Sequence, residues 1–109
     1  MNPTVKILQP CGILDNVTTN QLYRDIHNIV EDGVEIILVD FQGIILMNSS
    51  GIGALVSTLQ IVKVAGVKLF ICSLNEQVKM ILELTKIDRF LKIFANREEF
   101  EQQFLPSVN

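Results

Sequence analysis

Two almost uninterrupted apolar runs constrain this fold more than any other feature. They are Glu35-Ile36-Ile37-Leu38-Val39-Asp40-Phe41 and Val67-Lys68-Leu69-Phe70-Ile71-Cys72. Runs this short and this rich in β-branched and aromatic residues suit strands covered on both faces. Between them, Ile52, Leu55, Val56, Leu59 and Val62 recur at helical spacing, as do Leu22, Ile26, Ile29 and Val30 before the first run. A strand, a helix and a second strand in this order predict a parallel pair joined by a right-handed crossover.

The remaining segments extend the alternation. Val5-Lys6-Ile7-Leu8-Gln9 reads as a strand, with a kink or bulge at Pro10-Cys11-Gly12 before Ile13-Leu14. Thr18 and Gln21 form a candidate capping box for the first helix, which Gly33 can end. Gly66 can close the second helix. Ser73 and Glu76 offer a capping box for a third, carrying Val78, Ile81 and Leu82. Leu91-Lys92-Ile93-Phe94 is a short last strand, and Asn96 with Glu99 caps a helix that Phe100 and Phe104 pin to the sheet. The expected class is α/β, one domain over residues 1–109, with a mostly parallel sheet. Residues 42–48 read as a loop. Its Ile44, Ile45 and Leu46 are either buried beneath it or an exposed patch for a partner, with burial the expectation.

Composition narrows the function classes. Of 109 residues, 49% are hydrophobic and 19% charged, enough to fill one core. The net charge is −3 and the nine basic residues form no block, so the electrostatic footprint of nucleic-acid binding is missing. No apolar run reaches a membrane span and the first residues lack a signal-peptide pattern, so a cytoplasmic location is the expectation. Cys11 and Cys72 belong to no CxxC or Cys/His cluster and read as buried free thiols. No metal site or cofactor is expected.

The chain offers little catalytic chemistry. Its single histidine, His27, falls in the first helix with no fixed spacing to a nucleophile and reads as a surface or boundary residue. Gly51-Ile52-Gly53 lacks the third glycine of a dinucleotide loop, and no GxxxxGK[ST] run occurs. Asp15, Asp40 and Asp88 are too dispersed for a metal cluster, and Asp40 reads as a strand end. The distinctive stretch is Met47-Asn48-Ser49-Ser50-Gly51-Ile52-Gly53, where an apolar segment hands over to a helix. Free amides and a positive dipole end make that place suited to a serine cap or to a phosphate. Asp15 also follows a strand, and both could lie at the carboxyl end of the sheet, where α/β folds gather their functional loops.

Three motifs in order resemble the STAS domain family, specifically the bacterial anti-sigma factor antagonists. Met47-Asn48-Ser49-Ser50-Gly51-Ile52-Gly53 is similar to its D-S-[ST]-G-[LIV]-G signature, and Gly12-Ile13-Leu14-Asp15 to its G-x-[LIV]-D element. Leu84-Thr85-Lys86-Ile87-Asp88-Arg89-Phe90 is similar to its late leucine–aspartate–phenylalanine segment. The resemblance implies a four- to five-stranded mixed, mostly parallel sheet with about four helices largely on one face. It implies a regulator rather than an enzyme. The unphosphorylated antagonist binds an anti-sigma factor that is also a serine protein kinase, and so frees a sigma factor for transcription. Phosphorylation at the position of Ser49 releases it, and a serine phosphatase resets it. Asp15 matches an aspartate beside the phosphorylation site; Asn48, Ser50, Gly51, Ile52 and Gly53 complete the surroundings of that serine.

A phosphoserine would add about −1.5 to −2 charge. At a helix start, the amides of Ser50, Gly51 and Ile52 are positioned to receive it, and Gly51 removes a side chain that would crowd the approach. Asn48 stands where the family pattern has aspartate, which removes a negative charge. The leading strand of the family is short or missing before Val5, and an uncovered edge strand could support a homodimer. Alternative readings are a STAS scaffold never modified at Ser49 and a module sensing a nucleotide or other anion.

Overall fold

The two apolar runs lie side by side at the centre of a parallel sheet. In the computed structural model, which describes residues 4–104, they form β3 (Ile36–Asp40) and β5 (Lys68–Cys72). β1 (Val5–Leu8) flanks β3 and β6 (Lys92–Phe94) flanks β5, giving the order β1-β3-β5-β6. Every pairing among the described residues is parallel, so the mixed sheet expected from the resemblance is not formed by them. The helices are α1 (Asn16–Glu31), α2 (Ser49–Ala65), α3 (Glu76–Leu84) and α4 (Arg97–Phe104), with a 3-10 turn at Ile87–Phe90. Residues 1–3, where a leading strand was in question, lie outside the described residues.

The central strands divide their side chains by the period of two that a pleated sheet imposes. Ile37, Val39, Leu69 and Ile71 join Leu22 and Ile26 of α1, Leu55 and Val62 of α2, and Val78 and Leu82 of α3 in one core. Ile36, Leu38, Phe70 and Cys72 face the other way, onto Phe94 and Phe100, with Phe104 packed against them. Thus three helices cover one face and α4 covers the other. Phe94 stands edge-on to both Phe70 and Phe100, with centroids 5.7 Å and 5.6 Å apart, a favoured aromatic arrangement.

The segment read as a loop is largely a strand. β4 (Gly43–Met47) pairs in parallel with β2 (Cys11–Leu14) as a separate two-stranded ladder. Gly12 pairs with Ile44 but Ile13 pairs with Leu46, so Ile45 is the extra residue of a bulge. Gly12 takes φ 86°, a conformation that favours glycine. The bulge breaks the alternation of β4. Ile44 and Met47 are buried while the consecutive Ile45 and Leu46 both face solvent.

Helix starts also differ from the expected boxes. The cap of α1 lies three residues before Thr18, at Asp15, whose carboxylate accepts from the Thr18 N–H at 2.9 Å. Gln21 is engaged with Asp25 and Arg24 along the helix instead. α3 is capped by Asn75, whose Oδ1 accepts from the Val78 N–H at 2.8 Å, and Ser73 is held at φ 63°. The last cap is as expected: Asn96 accepts from the Glu99 N–H at 2.9 Å, and Glu99 reaches back to the Ala95 N–H. Gly33 and Gly66, at φ 82° and 75°, follow α1 and α2.

Candidate functional site: a paired helix start at the end of β2 and β4

The short ladder brings two distant parts of the chain together. β2 ends at Leu14 opposite Met47, and the Asn48 N–H donates to the Leu14 carbonyl at 3.3 Å. The next residues, Asp15 and Asn48, therefore start α1 and α2 side by side. They do so in nearly the same conformation, φ −102° for both, with ψ −170° and 177°. Each side chain accepts a hydrogen bond from an amide three residues on: Asp15 from Thr18, and Asn48 from Gly51 at 3.0 Å. The bond from the Thr18 amide holds the Asp15 carboxyl below the usual carboxylate range.

This geometry changes the reading of the serines. Asn48, not a serine, is the cap of α2. Ser49 and Ser50 occupy the first helical positions, both are exposed, and no hydrogen bond engages either hydroxyl among the described residues. The Asn48 carboxamide does the capping task as an aspartate would, so the departure from the family pattern leaves the helix start intact.

The expected amide cradle is narrower than the sequence suggested. The Gly51 N–H is taken by Asn48 Oδ1, and the Ile52 N–H by the Asn48 carbonyl at 3.1 Å. Of the first four amides of α2, only those of Ser49 and Ser50 lack a partner among the described residues. Nor is Gly51 small to admit a phosphate. It is buried, and a Cβ there would sit 1.9 Å from the Leu14 carbonyl oxygen and 3.3 Å from Thr19 Oγ1. The glycine lets α2 lie against the end of β2. Gly53, two residues on, is exposed, and nothing lies within 4 Å of a Cβ built on it. Ile52 packs partly buried against the core.

Exposed apolar side chains lie on the ladder that leads to the serines and on the first turn of α1. Ile13 and Leu46 are cross-strand partners on the solvent face of the ladder, and Ile45 and Val17 are more exposed still. Asn75 holds β4 in place: its Nδ2 donates to the carbonyls of Ile44 and Ile45, both at 3.0 Å. Sequence reasoning missed Val17 and Asn75. The burial expected for the 44–46 stretch holds for Ile44 alone, and Val56, expected to face the core, is 38% exposed.

Other residues lie elsewhere. His27 is exposed on α1, 3.6 Å from Glu31. Asp40 ends β3, as expected, and its carboxylate accepts from the Gln42 N–H and Gln9 Nε2. Cys72 is buried, and burial pushes its thiol up; Cys11 is exposed, against expectation. No group of three metal-ligating side chains occurs among the described residues, and no helix there is long and apolar enough to cross a membrane.

Residues 1–100 match the STAS domain family. The chain belongs to that family. Its STAS fold is similar to that of a candidate anti-sigma factor antagonist from Thermotoga maritima, with TM-score 0.82 and 24% identity over 93% of this chain and 87% of the other. It is also similar to the Bacillus anti-sigma factor antagonist SpoIIAA in its unphosphorylated form, with TM-score 0.69 and 16% identity over 99% and 94% of the two chains. A sulfate transporter family protein from Wolinella succinogenes matches as well, at TM-score 0.82 and 11% identity over 98% and 93%. At these identities the likeness establishes the fold, and the function rests on the site.

Proposed function

We propose that this STAS domain is a phosphorylation-switched binding protein, not an enzyme, working in the cytoplasm. Its unmodified form docks through the Asp15–Ser49 surface onto an anti-sigma factor that is also a serine protein kinase, freeing a sigma factor for transcription. Phosphorylation of Ser49 releases the partner, and a serine phosphatase restores the unmodified form. One observation carries this reading: Asn48 caps α2, so the exposed Ser49 hydroxyl has no structural task. A kinase can reach it without unfolding the helix. Ile13, Val17, Ile45 and Leu46 supply apolar contact area on the ladder and the first turn of α1, as a protein-binding surface requires.

Release follows from charge rather than from refolding. A phosphate on Ser49 would bring about −1.5 to −2 charge to a helix start that lies beside the one capped by the Asp15 carboxylate. The Gly51 and Ile52 amides are already engaged, so only the Ser49 and Ser50 amides and the helix dipole are left to offset that charge. A partner closing over it would bury an unpaired anion, which is strongly unfavourable.

The test is the intact mass of the protein isolated from its native host, with and without phosphatase treatment, followed by mapping of the modified residue. A phosphate on Ser49 is expected. Its absence under every growth condition would leave a constitutive STAS scaffold, the reading that Asn48 in place of aspartate favours. Ser49→Asp should weaken capture of the kinase partner; undiminished affinity would count against release by charge.

A further inference from the structure

The surface around Ser49 makes no use of the third motif, residues 84–90. Ile87 of that motif is buried, but Phe90 is 76% exposed, a large apolar ring held in water on a 3-10 turn. Phe90 and Ile87 form one wall of an open groove of about 550 Å³. Val56 and Leu59 of α2 and Leu69 of β5 contribute the others. The size is that of a small-molecule site, and so is the lining, mostly apolar with a few polar groups at the rim.

The rim has a definite charge. Lys63 is the single charged residue lining the groove, and no carboxylate lines it. The one contact within 4.0 Å between a basic and an acidic side chain among the described residues joins His27 and Glu31, so Lys63 has no anionic partner there. Its place in the last turn of α2 complements the helix dipole, which accounts for a cation there. It does not account for an exposed phenylalanine and an apolar trough beside that cation.

We propose that this groove binds an aliphatic monocarboxylate, with the hydrocarbon tail between α2 and the 3-10 turn and the carboxylate at Lys63 Nζ. The tail covers Val56 and Phe90, whose exposure is otherwise unfavourable. The lone cation selects an anionic head over a neutral or cationic one. The proposal is independent of the reading of Ser49, since the groove begins seven residues further along α2 at Val56 and shares no residue with that surface.

The experiment is a methyl NMR titration of the full chain with decanoate, decanol and decyltrimethylammonium, each below its aggregation concentration. Decanoate should produce saturable shifts confined to the methyls of Val56, Leu59, Leu69 and Ile87. Decanol should bind about fivefold more weakly, the scale of one exposed charge pair, and the ammonium more weakly still. Lys63→Gln should reduce decanoate binding to the level of decanol, and Lys63→Arg should preserve it. Val56→Trp should fill the groove and abolish binding while the rest of the spectrum stays dispersed. Three outcomes overturn the proposal: no saturable decanoate binding, equal binding of all three probes, or shifts centred elsewhere. A fourth is concentration-dependent dimerisation through these methyls without ligand, which would make the groove a contact between copies.

Discussion

The four-stranded sheet and the two-stranded β2–β4 ladder are both parallel, yet they serve opposite ends. β3 is buried along its whole length, and its alternating side chains feed two cores. The ladder has one face in the core and one in water, and its bulge places two consecutive apolar side chains, Ile45 and Leu46, in solvent. Regular pairing over both faces gives the first region its stability. Irregular pairing gives the second a surface. What the ladder contributes in return is position, since it sets the two helix starts, at Asp15 and at Asn48 just before Ser49, side by side across more than thirty residues of chain.

Phe100 is fully buried in the aromatic cluster, and Phe100→Ala should cost about 3–5 kcal/mol in urea unfolding. A cost below that of a surface substitution would mean that α4 contributes little to the second core. On the ladder side the sharpest test uses two glycines of one motif. Gly51→Ala forces a methyl into the Leu14 carbonyl and should destabilise at the upper end of the roughly 1–3 kcal/mol of an overpacked site. Gly53→Ala meets nothing and should stabilise α2 by about 0.5–1 kcal/mol. Similar effects at both positions would contradict the close approach of α2 to β2.

The paired caps come next. Asn48→Ala should cost about 1 kcal/mol, while Asn48→Asp should retain the cap within a few tenths. Asp15 adds a pH dependence whose direction follows from its depressed folded pKa. The stabilisation is fully present above the unfolded carboxylate value of about 3.9 and is lost as pH falls through the lower folded value. The denaturation midpoint of the wild type should therefore approach, on acidification through that range, the curve of Asp15→Asn, which has no carboxyl to titrate there. Parallel curves would remove the Thr18 bond as the cause. The smallest effect on stability belongs to the exposed apolar side chains of the ladder: Ile45→Ser should change it by less than about 0.5 kcal/mol yet weaken capture of the proposed partner. A large stability loss there would make Ile45 part of the core.

Much of this fold was legible in the residues because its core strands are buried on both faces and its helices are long. The runs that became β3 and β5 announce themselves by composition, and Gly33 and Gly66 mark helix ends by the φ they take. β4 was not legible, because its buried residues, Ile44 and Met47, are three apart, a spacing that matches no regular strand. Only the pairing with β2 explains it, through the bulge at Ile45. Caps were legible in kind but not in place. Several short polar residues precede α1, α2 and α3, and the one that serves is the one whose oxygen reaches a free amide three residues on. Near the serines this matters for function, since it moves the capping task from Ser49 to Asn48.

By itself, then, the sequence determined the α/β class, the central strands and most of the helix faces that pack on them, and the resemblance of the Met47–Gly53 stretch to a STAS motif. These depend on local periodicity and on residue types at short spacing. Tertiary structure alone decided that Asp15 and Asn48 start neighbouring helices in the same conformation, that Gly51 serves packing, and that Ile45 and Leu46 face outward. Each of those facts arises from hydrogen bonds and contacts between segments about thirty residues apart, and no local pattern encodes the register in which such segments meet.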